Sequence, residues 1–352
     1  MTGFPGFLGS ALLGRLLARR LDSRAICLVQ ASHLDEARGK LAEMPAGGRI
    51  DLMVGDLTAQ GLGLSDADRA RLDGVAEVWH LAAVYDLAVG EEIARRVNVD
   101  GTDRVLELCR SLPGLERFHH VSTCYVSGQY DGEFLEDDLE MGQAFRNHYE
   151  ETKYEAELLV RQAMAAGLPA TIYRPGIVVG DSRTGATQKF DGPYFLATFL
   201  RRQPPVAVVP QVADPDQVRF GLVPRNFVVD AMDRLSVLPQ SVGRTYALTD
   251  PDPPTVRELV DTFARRLGRQ VVWVPLPLPL TRAVVSLPGA ERLMGLPVEA
   301  LDYFASPTTY GTAHTATDLL GTGVACPRFA DYADRLLDFM LEHPELDSAA
   351  MV

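Results

Sequence analysis

The stretch Thr2-Gly3-Phe4-Pro5-Gly6-Phe7-Leu8-Gly9 spaces its glycines as GxxGxxG and leads directly into 10–20, where leucines recur at helical spacing. Gly3 and Gly6 permit a tight turn and a close backbone approach, and Gly9 lets the helix pack against a sheet. The helix N-terminus then offers free N–H groups and partial positive charge to a pyrophosphate. Taken alone, the triplet also fits an ordinary loop before a helix.

Downstream of this loop, apolar runs typical of buried strands alternate with amphipathic helical runs. The strand-like runs are 25–30, 50–57, 75–84, 117–123 and 169–175, and the helical runs are 10–20, 34–44, 65–73, 91–112 and 147–167. This alternation predicts a doubly wound parallel α/β sheet of the Rossmann type, whose ligands bind at the carboxyl ends of the strands.

The second half of the chain has a looser pattern. From residue 183 prolines become frequent and only short β/α pieces persist. We therefore predict a dinucleotide-binding domain over 1–182 and a smaller, irregular α/β substrate-binding lobe over 183–352. We expect the segment 217–249 to return to the main sheet.

The position of the glycine loop is anomalous, because a Rossmann sheet needs a buried strand before it and only Met1 precedes Thr2. The sequence therefore predicts that the first strand is missing or truncated. We hypothesise a mis-called start, in which an internal GTG (Val) codon of a GC-rich gene is written as Met1. Strand-forming residues encoded in frame just upstream would support this hypothesis, and an upstream in-frame stop codon would reject it.

The composition excludes several classes of partner. The chain has 352 residues, 47% hydrophobic and 23% charged, as in ordinary soluble proteins. Its 34 basic and 47 acidic residues give a net charge of -13, which argues against nucleic acid or an anionic membrane surface. The most apolar stretch, 271–287, is interrupted by prolines, so we expect no membrane span. Four scattered cysteines indicate a reducing, cytoplasmic location.

Tyr149 and Lys153 form a YxxxK pair within the helical run 147–167, so both side chains leave one helix face a turn apart. An ammonium beside a phenol favours phenolate and lowers the phenol pKa from its ordinary value of about 10. Tyr149 would then be a usable general acid or base. Alone, the pair also fits an exposed Tyr and Lys on a solvated helix.

A hydroxyl at the end of the strand 117–123 can hydrogen-bond a substrate oxygen as charge develops on it. Thr123 is our first choice for this role and Ser122 the second. The alternative is a buried hydroxyl that bonds its own backbone.

We expect no metal site. His80 lies in a buried-strand pattern, and His119 and His120 point to opposite faces of their strand. An acidic run between the Thr and Tyr motifs fits either a cation site or a solvated loop, and we expect it to border the substrate cleft. Its members are Glu133, Glu136, Asp137, Asp138 and Glu140.

Seven motifs, in this order, resemble those of an extended short-chain dehydrogenase/reductase. They are TGFPGFLG (2–9), GDL (55–57), HLAAV (80–84), NVDGT (98–102), VSTCYVSG (121–128), YEETK (149–153) and YRPGIVVG (173–180). Within that superfamily, VSTCYVSG, KFDGPY (189–194) and LVPRNFVVDAM (222–232) resemble the fatty acyl-CoA reductase or male sterility branch, which includes thioester reductases. Epimerases and 3β-hydroxysteroid dehydrogenases are near relatives of this branch.

The resemblance implies an NAD(P)-dependent enzyme with Thr123, Tyr149 and Lys153 as its catalytic triad. Asp56 would lie near the adenine, where a carboxylate can accept from the amino group; the alternative is a helix cap with Thr58. Together with the glycine loop, the predicted cofactor set is Gly3, Phe4, Gly6, Phe7, Leu8, Gly9, Gln30, Asp56, Leu57, Leu81, Ala82, Ala83, Asn98, Lys153, Arg174, Pro175, Gly176 and Ile177.

The choice between the two nicotinamide cofactors depends on the end of the second predicted strand. An NAD-selective site usually places an acid there, but this strand ends at Gln30 and no acid occurs before Asp35. The Arg that NADP-preferring relatives often carry at the position of Gln30 is also absent. Arg38 could reach a 2′-phosphate, so we favour NADP(H) over NAD(H).

We therefore expect hydride transfer to the carbonyl of a small hydrophobic substrate: an acyl thioester, an aldehyde or a hydrophobic ketone. Candidate substrate residues are Ser122, Tyr125, Phe190 and Tyr194. One alternative is an NAD-dependent nucleotide-sugar epimerase or dehydratase, or a 3β-hydroxysteroid-type dehydrogenase. Another is a non-catalytic cofactor-sensing regulator, although such proteins typically lose YxxxK. Many relatives dimerise through the helices bearing NVDGT and YxxxK, so the resemblance also allows a homodimer.

Overall fold

A computed structural model describes residues 1–85, 88–290 and 294–346 of the chain. Its strands are β1 (Ala25–Val29), β2 (Ile50–Val54), β3 (Glu77–His80), β4 (Arg117–Val121), β5 (Gly132–Phe134), β6 (Ala170–Pro175), β7 (Ile177–Val179), β8 (Val206–Gln211), β9 (Leu222–Pro224), β10 (Thr245–Leu248), β11 (Gln270–Pro275) and β12 (Thr308–Tyr310).

The α-helices among the described residues are α1 (Phe7–Arg19), α2 (Leu34–Glu43), α3 (Asp66–Ala70), α4 (Glu91–Ala94), α5 (Asp100–Ser111), α6 (His148–Ala165), α7 (Pro193–Arg202), α8 (Arg225–Ser236), α9 (Val256–Arg266), α10 (Leu278–Val285), α11 (Ala313–Leu319) and α12 (Phe329–Glu342). A 3₁₀ helix, Val298–Ala305, precedes β12. None of the described helices combines the length and hydropathy that a bilayer crossing requires.

The main sheet is parallel and is bridged near its centre by the first two residues. One part pairs β1 with β2, and the other has the order β10-β6-β4-β3. Thr2 forms parallel bridges to both Leu28 and His80, which lie on the facing edges of the two parts. The Leu28 N–H donates to the Met1 carbonyl at 2.9 Å. Met1 and Thr2 thus occupy the position predicted for the first strand.

Helices cover both faces of this sheet. On one face α1 packs against α8, and the shared core includes Leu12, Trp79 and Phe227. On the other face α5 packs against α6 over Phe118 and Val160. The predicted doubly wound parallel α/β architecture is confirmed.

The predicted helix 91–112 differs from a single α-helix. It consists of α4, a π-helical turn over Arg95–Val99, and α5. Asn98 lies within this turn, and its buried side chain bonds the backbone N–H and C=O of Val84 at 2.9 and 3.0 Å. Such turns are frequent at functional sites, and this one holds the chain after β3 against the helix.

The second half forms its own hydrophobic core from α7, α9 and α12 together with the strand pair β8–β11. Two further parallel pairs, β7–β9 and β5–β12, connect the halves. The segment that follows β9 lies with the first half, because α8 packs on α1 and β10 extends the main sheet beside β6.

Candidate active site

The glycine loop lies at the carboxyl edge of the sheet, between β3 and the start of α1. Gly3 has φ +88°, and a Cβ added there would lie 2.8 Å from the Leu81 Cβ. A Cβ at Gly9 would lie 2.2 Å from the Gly3 carbonyl oxygen, so the helix approaches the loop as only glycine allows. No side chain caps the N-terminus of α1. The residues present therefore fit a dinucleotide pyrophosphate.

The side chains of the loop have different surroundings. Phe4 is buried in a small core with Leu13 and Val29, so only its backbone can face the cofactor. Phe7 is partly exposed, and the Arg225 guanidinium lies 4.7 Å from its ring centroid. Sequence reasoning missed Arg225, a cation beside the predicted pyrophosphate site.

Buried hydrogen bonds fix the turn after β3. The backbone N–H groups of Leu81 and Ala82 both donate to the Thr2 hydroxyl at 3.2 Å. That hydroxyl also bonds the His80 Nδ1 at 2.8 Å, while the His80 Nε2 bonds the Thr102 hydroxyl at 3.0 Å. Burial lowers the pKa of His80 to about 3, so its ring is neutral. Its two ring nitrogens therefore connect the glycine loop to α5.

Gln30 and Asp56 come together at the ends of β1 and β2. The Asp56 Oδ1 accepts from the N–H and the hydroxyl of Thr58 at 2.7 and 2.8 Å. This oxygen therefore makes the capping interaction with Thr58 that the sequence offered as the alternative to an adenine contact. Partial burial raises the pKa of Asp56, but hydrogen bonds from Thr58 and Gln30 together outweigh it and hold the pKa below its ordinary value. The exposed Arg38 guanidinium pairs with Asp35 at 3.0 Å on the same side of the molecule.

Thr123 and Tyr149 lie near each other. Thr123 is buried at the end of β4, where its hydroxyl accepts from the Tyr125 N–H at 3.2 Å and donates to the Pro175 carbonyl at 3.5 Å. Tyr149 lies in the first turn of α6, with its phenol close enough to Thr123 to be influenced by it. Burial raises the pKa of Tyr149 to about 12, and Thr123 only partly opposes this rise.

Lys153 lies one turn further along α6 and is 4% exposed. Its ammonium donates to the Val121 carbonyl at 2.9 Å, at the end of β4. Burial lowers the pKa of Lys153 to about 8, against the opposing charge of Glu157. At Tyr149 burial outweighs the lowering of the pKa that we predicted from Lys153, whose ammonium is bound to the Val121 carbonyl. The lowering by Lys153 therefore stays a prediction.

The structure separates the two hydroxyls that the sequence left as alternatives. The Ser122 hydroxyl donates to a carboxylate oxygen of Glu157 at 2.6 Å, in a buried position. The Thr123 hydroxyl instead donates to the Pro175 carbonyl at 3.5 Å and lies near the Tyr149 phenol. Asn98 connects the chain after β3 to α6, because its amide also donates to the Thr152 hydroxyl on α6 at 3.0 Å.

Arg174 does not face the cofactor cleft. Its side chain is buried and binds Glu157, with the shortest contact at 2.6 Å. It also donates to the carbonyls of Leu135, Glu136 and Asp138. Further along the strand end, Ile177 packs beside the turn before α7, since a Cβ at Gly192 would lie 3.1 Å from the Ile177 Cγ2.

The three other residues predicted to contact the substrate differ in their exposure. Tyr125 is partly exposed and packs edge-on against Tyr303 and Tyr310. Phe190 and Tyr194 lie in the core of the second half, and the Tyr194 hydroxyl accepts from the Gly180 N–H at 3.2 Å. Both side chains are buried packing residues in this structure, and their role as substrate contacts stays a prediction.

The acidic run 133–140 is divided between exposed and buried carboxylates, and Glu133, Asp137 and Glu140 are exposed. Glu136 is buried, and its carboxylate accepts from the N–H groups of Ala247, His314 and Thr315. It therefore connects β10 to α11. Within the described residues, no group of three or more His, Cys, Asp or Glu is placed to hold a metal ion.

Two features near the site escaped sequence reasoning. Lys189 lies 3.8 Å from the ring centroid of Tyr85, a phenol that contributes to the raised pKa of Tyr149. An apolar crevice of about 40 Å³ lies in the second half, between the pair β8–β11 and the 3₁₀ helix. Its lining includes Leu196, Ala213, Trp273, Leu301 and Phe304. The KFDGPY motif indicated the position of the first feature, whereas the second depends on tertiary packing.

Comparison with known proteins identifies the family. The family described as male sterility protein matches residues 1–232, more than half of the chain. A linear gramicidin synthase from Brevibacillus parabrevis is 28% identical over 276 residues, which cover 74% of this chain and 5% of that protein. Isonitrile lipopeptide synthase of Streptomyces coeruleorubidus is 26% identical over 371 residues, which cover 96% of this chain and 24% of that protein. The chain thus spans a minor part of these relatives.

Solved structures agree with this assignment. The terminal R domain from the myxalamid PKS-NRPS biosynthetic pathway is 29% identical, with a TM-score of 0.85 over 98% of this chain and 90% of that one. A thiolation-reductase di-domain from an archaeal non-ribosomal peptide synthetase shares the fold at 20% identity, with a TM-score of 0.76 over 98% of this chain and 75% of that one. The chain therefore belongs to the male sterility protein family, a branch of the extended short-chain dehydrogenases/reductases, and is an NAD(P)-dependent enzyme of that class.

Proposed function

We propose that the chain is an NADP(H)-dependent reductase that transfers hydride to the carbonyl carbon of a hydrophobic acyl thioester or aldehyde. The observation that carries this proposal is the convergence at the end of β4 of Thr123, the nearby Tyr149 and, one helical turn further along α6, Lys153. With a pKa of about 12, the Tyr149 phenol holds its proton at neutral pH. A phenol in that state suits proton donation to a carbonyl that is being reduced.

In the proposed reaction each member of the triad has a separate role. The reduced cofactor supplies hydride to the carbonyl carbon when it is bound. The Thr123 hydroxyl orients the substrate oxygen, and Tyr149 donates its proton to that oxygen as negative charge develops there. With a thioester, the resulting thiohemiacetal breaks its C–S bond and releases a thiol and an aldehyde. Lys153 would bind the cofactor's ribose with the ammonium that now bonds Val121.

The cofactor would be held by the glycine loop and by the residues that follow β1, β2 and β3. Gln30 and Asp56 would face the adenosine end, and Arg225 would add positive charge near the pyrophosphate. Our preference for NADP(H) rests on the absence of an acid where β1 ends, at Gln30, and on the nearby guanidinium of Arg38.

A hydrophobic substrate is supported by the crevice in the second half. The 3₁₀ helix Val298–Ala305 borders both regions: Tyr303 donates to Glu150 beside Tyr149 at 2.9 Å, and Phe304 lines the crevice. An acyl chain could extend from the carbonyl toward this apolar surface. We further propose, from the named R-domain and synthase relatives, that the substrate is a thioester delivered by a larger assembly.

Two further proposals concern the setting. The four cysteines are free thiols, which supports a reducing compartment such as the cytoplasm. A homodimer through the helices that carry 98–102 and 149–153 follows from the family resemblance, and analytical ultracentrifugation of the purified chain tests it.

The experiment for the main proposal measures NADPH oxidation with a panel of acyl-CoA thioesters and aldehydes of increasing chain length. We expect turnover with medium or long chains, and product analysis should find the aldehyde or alcohol. A folded protein that binds NADPH but reduces neither class would contradict the proposal.

A further inference from the structure

A buried carboxylate on α6 lies where three parts of the site meet. Glu157 is fully buried and comes one helical turn after Lys153. Arg174 at the end of β6 binds it with contacts of 2.6 to 3.2 Å, and Arg161 adds a bond at 3.1 Å. Two guanidinium groups therefore neutralise this carboxylate and fix its orientation.

The carboxylate has one further bond, which reaches the strand that carries Thr123. The Ser122 hydroxyl donates to the second oxygen of Glu157 at 2.6 Å. Ser122 directly precedes Thr123, and its own N–H donates to the Tyr173 carbonyl at 2.7 Å. The end of β4 is thereby tied to β6 through the backbone and to α6 through Glu157.

The same carboxylate acts on Lys153. Its negative charge partly offsets the burial that lowers the Lys153 pKa. Two imidazoles also lie within electrostatic reach of Lys153, those of His80 on β3 and His120 on β4. Burial lowers the pKa of both imidazoles far enough to leave them neutral at pH 7. Glu157 is therefore the charged group that maintains the ammonium.

We propose that Glu157 is a positioning residue for the triad, which fixes the end of β4 through its bond with Ser122 and thereby holds Thr123 near Tyr149. This inference rests on the proposed roles of the triad. Arg174, predicted from the sequence to contact the cofactor, acts instead as the counter-ion that lets Glu157 stay ionised. A misplacement of about 1 Å in such a constellation can cost roughly a hundredfold in rate.

The first test uses Ser122→Ala, which removes the bond to β4 and leaves the pair of Glu157 and Arg174 intact. We expect kcat to fall about tenfold or more, while the KM for NADPH and the melting temperature change little. The second variant, Glu157→Gln, should lower kcat and also move the alkaline decline of the pH–rate profile to lower pH. Combined in one chain, the two substitutions should cost less than the product of their separate effects, because Ser122→Ala removes the bond that Glu157→Gln weakens by taking away the charge of its acceptor.

A matched control separates positioning from general loss of stability. Asp318 is a partly buried carboxylate on α11, outside the triad, and it accepts from Arg244 at 2.8 Å and Tyr246 at 2.6 Å. Asp318→Asn should lower the melting temperature without moving the pH–rate profile. Unchanged kcat in Ser122→Ala, with an unshifted profile in Glu157→Gln, would overturn the inference. If Tyr149→Phe also kept full activity, the proposed triad itself would be wrong.

Discussion

The Thr123 hydroxyl at the end of β4 lies near the Tyr149 phenol in the first turn of α6 and lowers the pKa of that phenol. This proximity joins the strand edge where the substrate carbonyl would lie to the helix that also carries Lys153. Burial raises the pKa of Tyr149 to about 12, while Thr123 favours the phenolate that would form as the proton leaves. In the proposed reaction, we therefore expect Tyr149 to donate a proton.

The buried ammonium predicts a pH dependence of cofactor binding. The pKa of Lys153 lies at about 8, below its ordinary value, so the ammonium loses its proton as the pH rises through that region. We expect the affinity for NADPH to be constant from about pH 6 to 7 and to weaken above about 8. Fluorescence titration at each pH measures this. Lys153→Met should bind more weakly at pH 7 with a flat profile, and an unchanged decline in that variant would assign the effect to another group.

A pair of glycine substitutions in α1 separates the cofactor loop from the helix itself. A methyl at Gly9 would lie 2.2 Å from the Gly3 carbonyl oxygen, so Gly9→Ala should destabilise the fold by about 1–3 kcal/mol and abolish NADPH binding. A methyl at Gly14 meets only the flexible end of Met44 at 3.8 Å. Gly14→Ala should therefore bind NADPH normally and be stabilised by up to about 1 kcal/mol. Equal effects of the two substitutions in denaturation and binding assays would contradict the role of the loop.

The apolar crevice predicts a dependence on chain length. Ala213 is partly exposed and lines the crevice, so Ala213→Phe should fill it without removing a buried contact. We expect kcat/KM for long-chain substrates to fall about tenfold or more, because the apolar contacts of the chain are lost. Turnover of a two- to four-carbon aldehyde serves as the control and should not change. A uniform loss across all chain lengths would place the acyl chain elsewhere.

Cofactor preference is testable at the end of β1. The wild type should use NADPH with higher kcat/KM than NADH. Arg38→Ala should reduce that preference about tenfold, the effect expected for one lost phosphate contact of about 1.4 kcal/mol. Gln30→Asp should move the preference toward NADH, because the new carboxylate can accept from the ribose hydroxyls. A wild type that strongly prefers NADH would show that our assignment is wrong.

Much of the fold could be predicted from periodicity, because parallel strands and amphipathic helices have distinct patterns. The strand positions and the long helix carrying YxxxK were predicted in this way, with ends that differ by a few residues. The π-helical turn at Asn98 was not, because it depends on bonds to Val84 and Thr152 from other segments. The insertion of Thr2 between β1 and β3 likewise follows from tertiary pairing.

The site was predictable where chemistry is carried by a local motif. Tyr149 and Lys153 share one helix face, which their spacing in the sequence predicts. Which of Ser122 and Thr123 is available to a substrate oxygen became clear only from the structure, where the Ser122 hydroxyl is bound to Glu157. Burial was harder to foresee. It reverses the expected direction of the Tyr149 pKa shift and turns Arg174 from a predicted cofactor contact into a buried counter-ion. The sequence did indicate that Glu157 lies on the same face of the helix as Lys153, four residues earlier, but it did not show that Arg174 is the partner of Glu157.

The most direct measurement compares wild type and Tyr149→Phe in NADPH oxidation with a long-chain acyl-CoA and the matching aldehyde, together with NADPH affinity. Our account predicts that the phenylalanine variant binds NADPH as the wild type does and loses roughly 10²–10⁴-fold in kcat, the contribution typical of a general acid. Wild-type turnover in Tyr149→Phe would contradict the account.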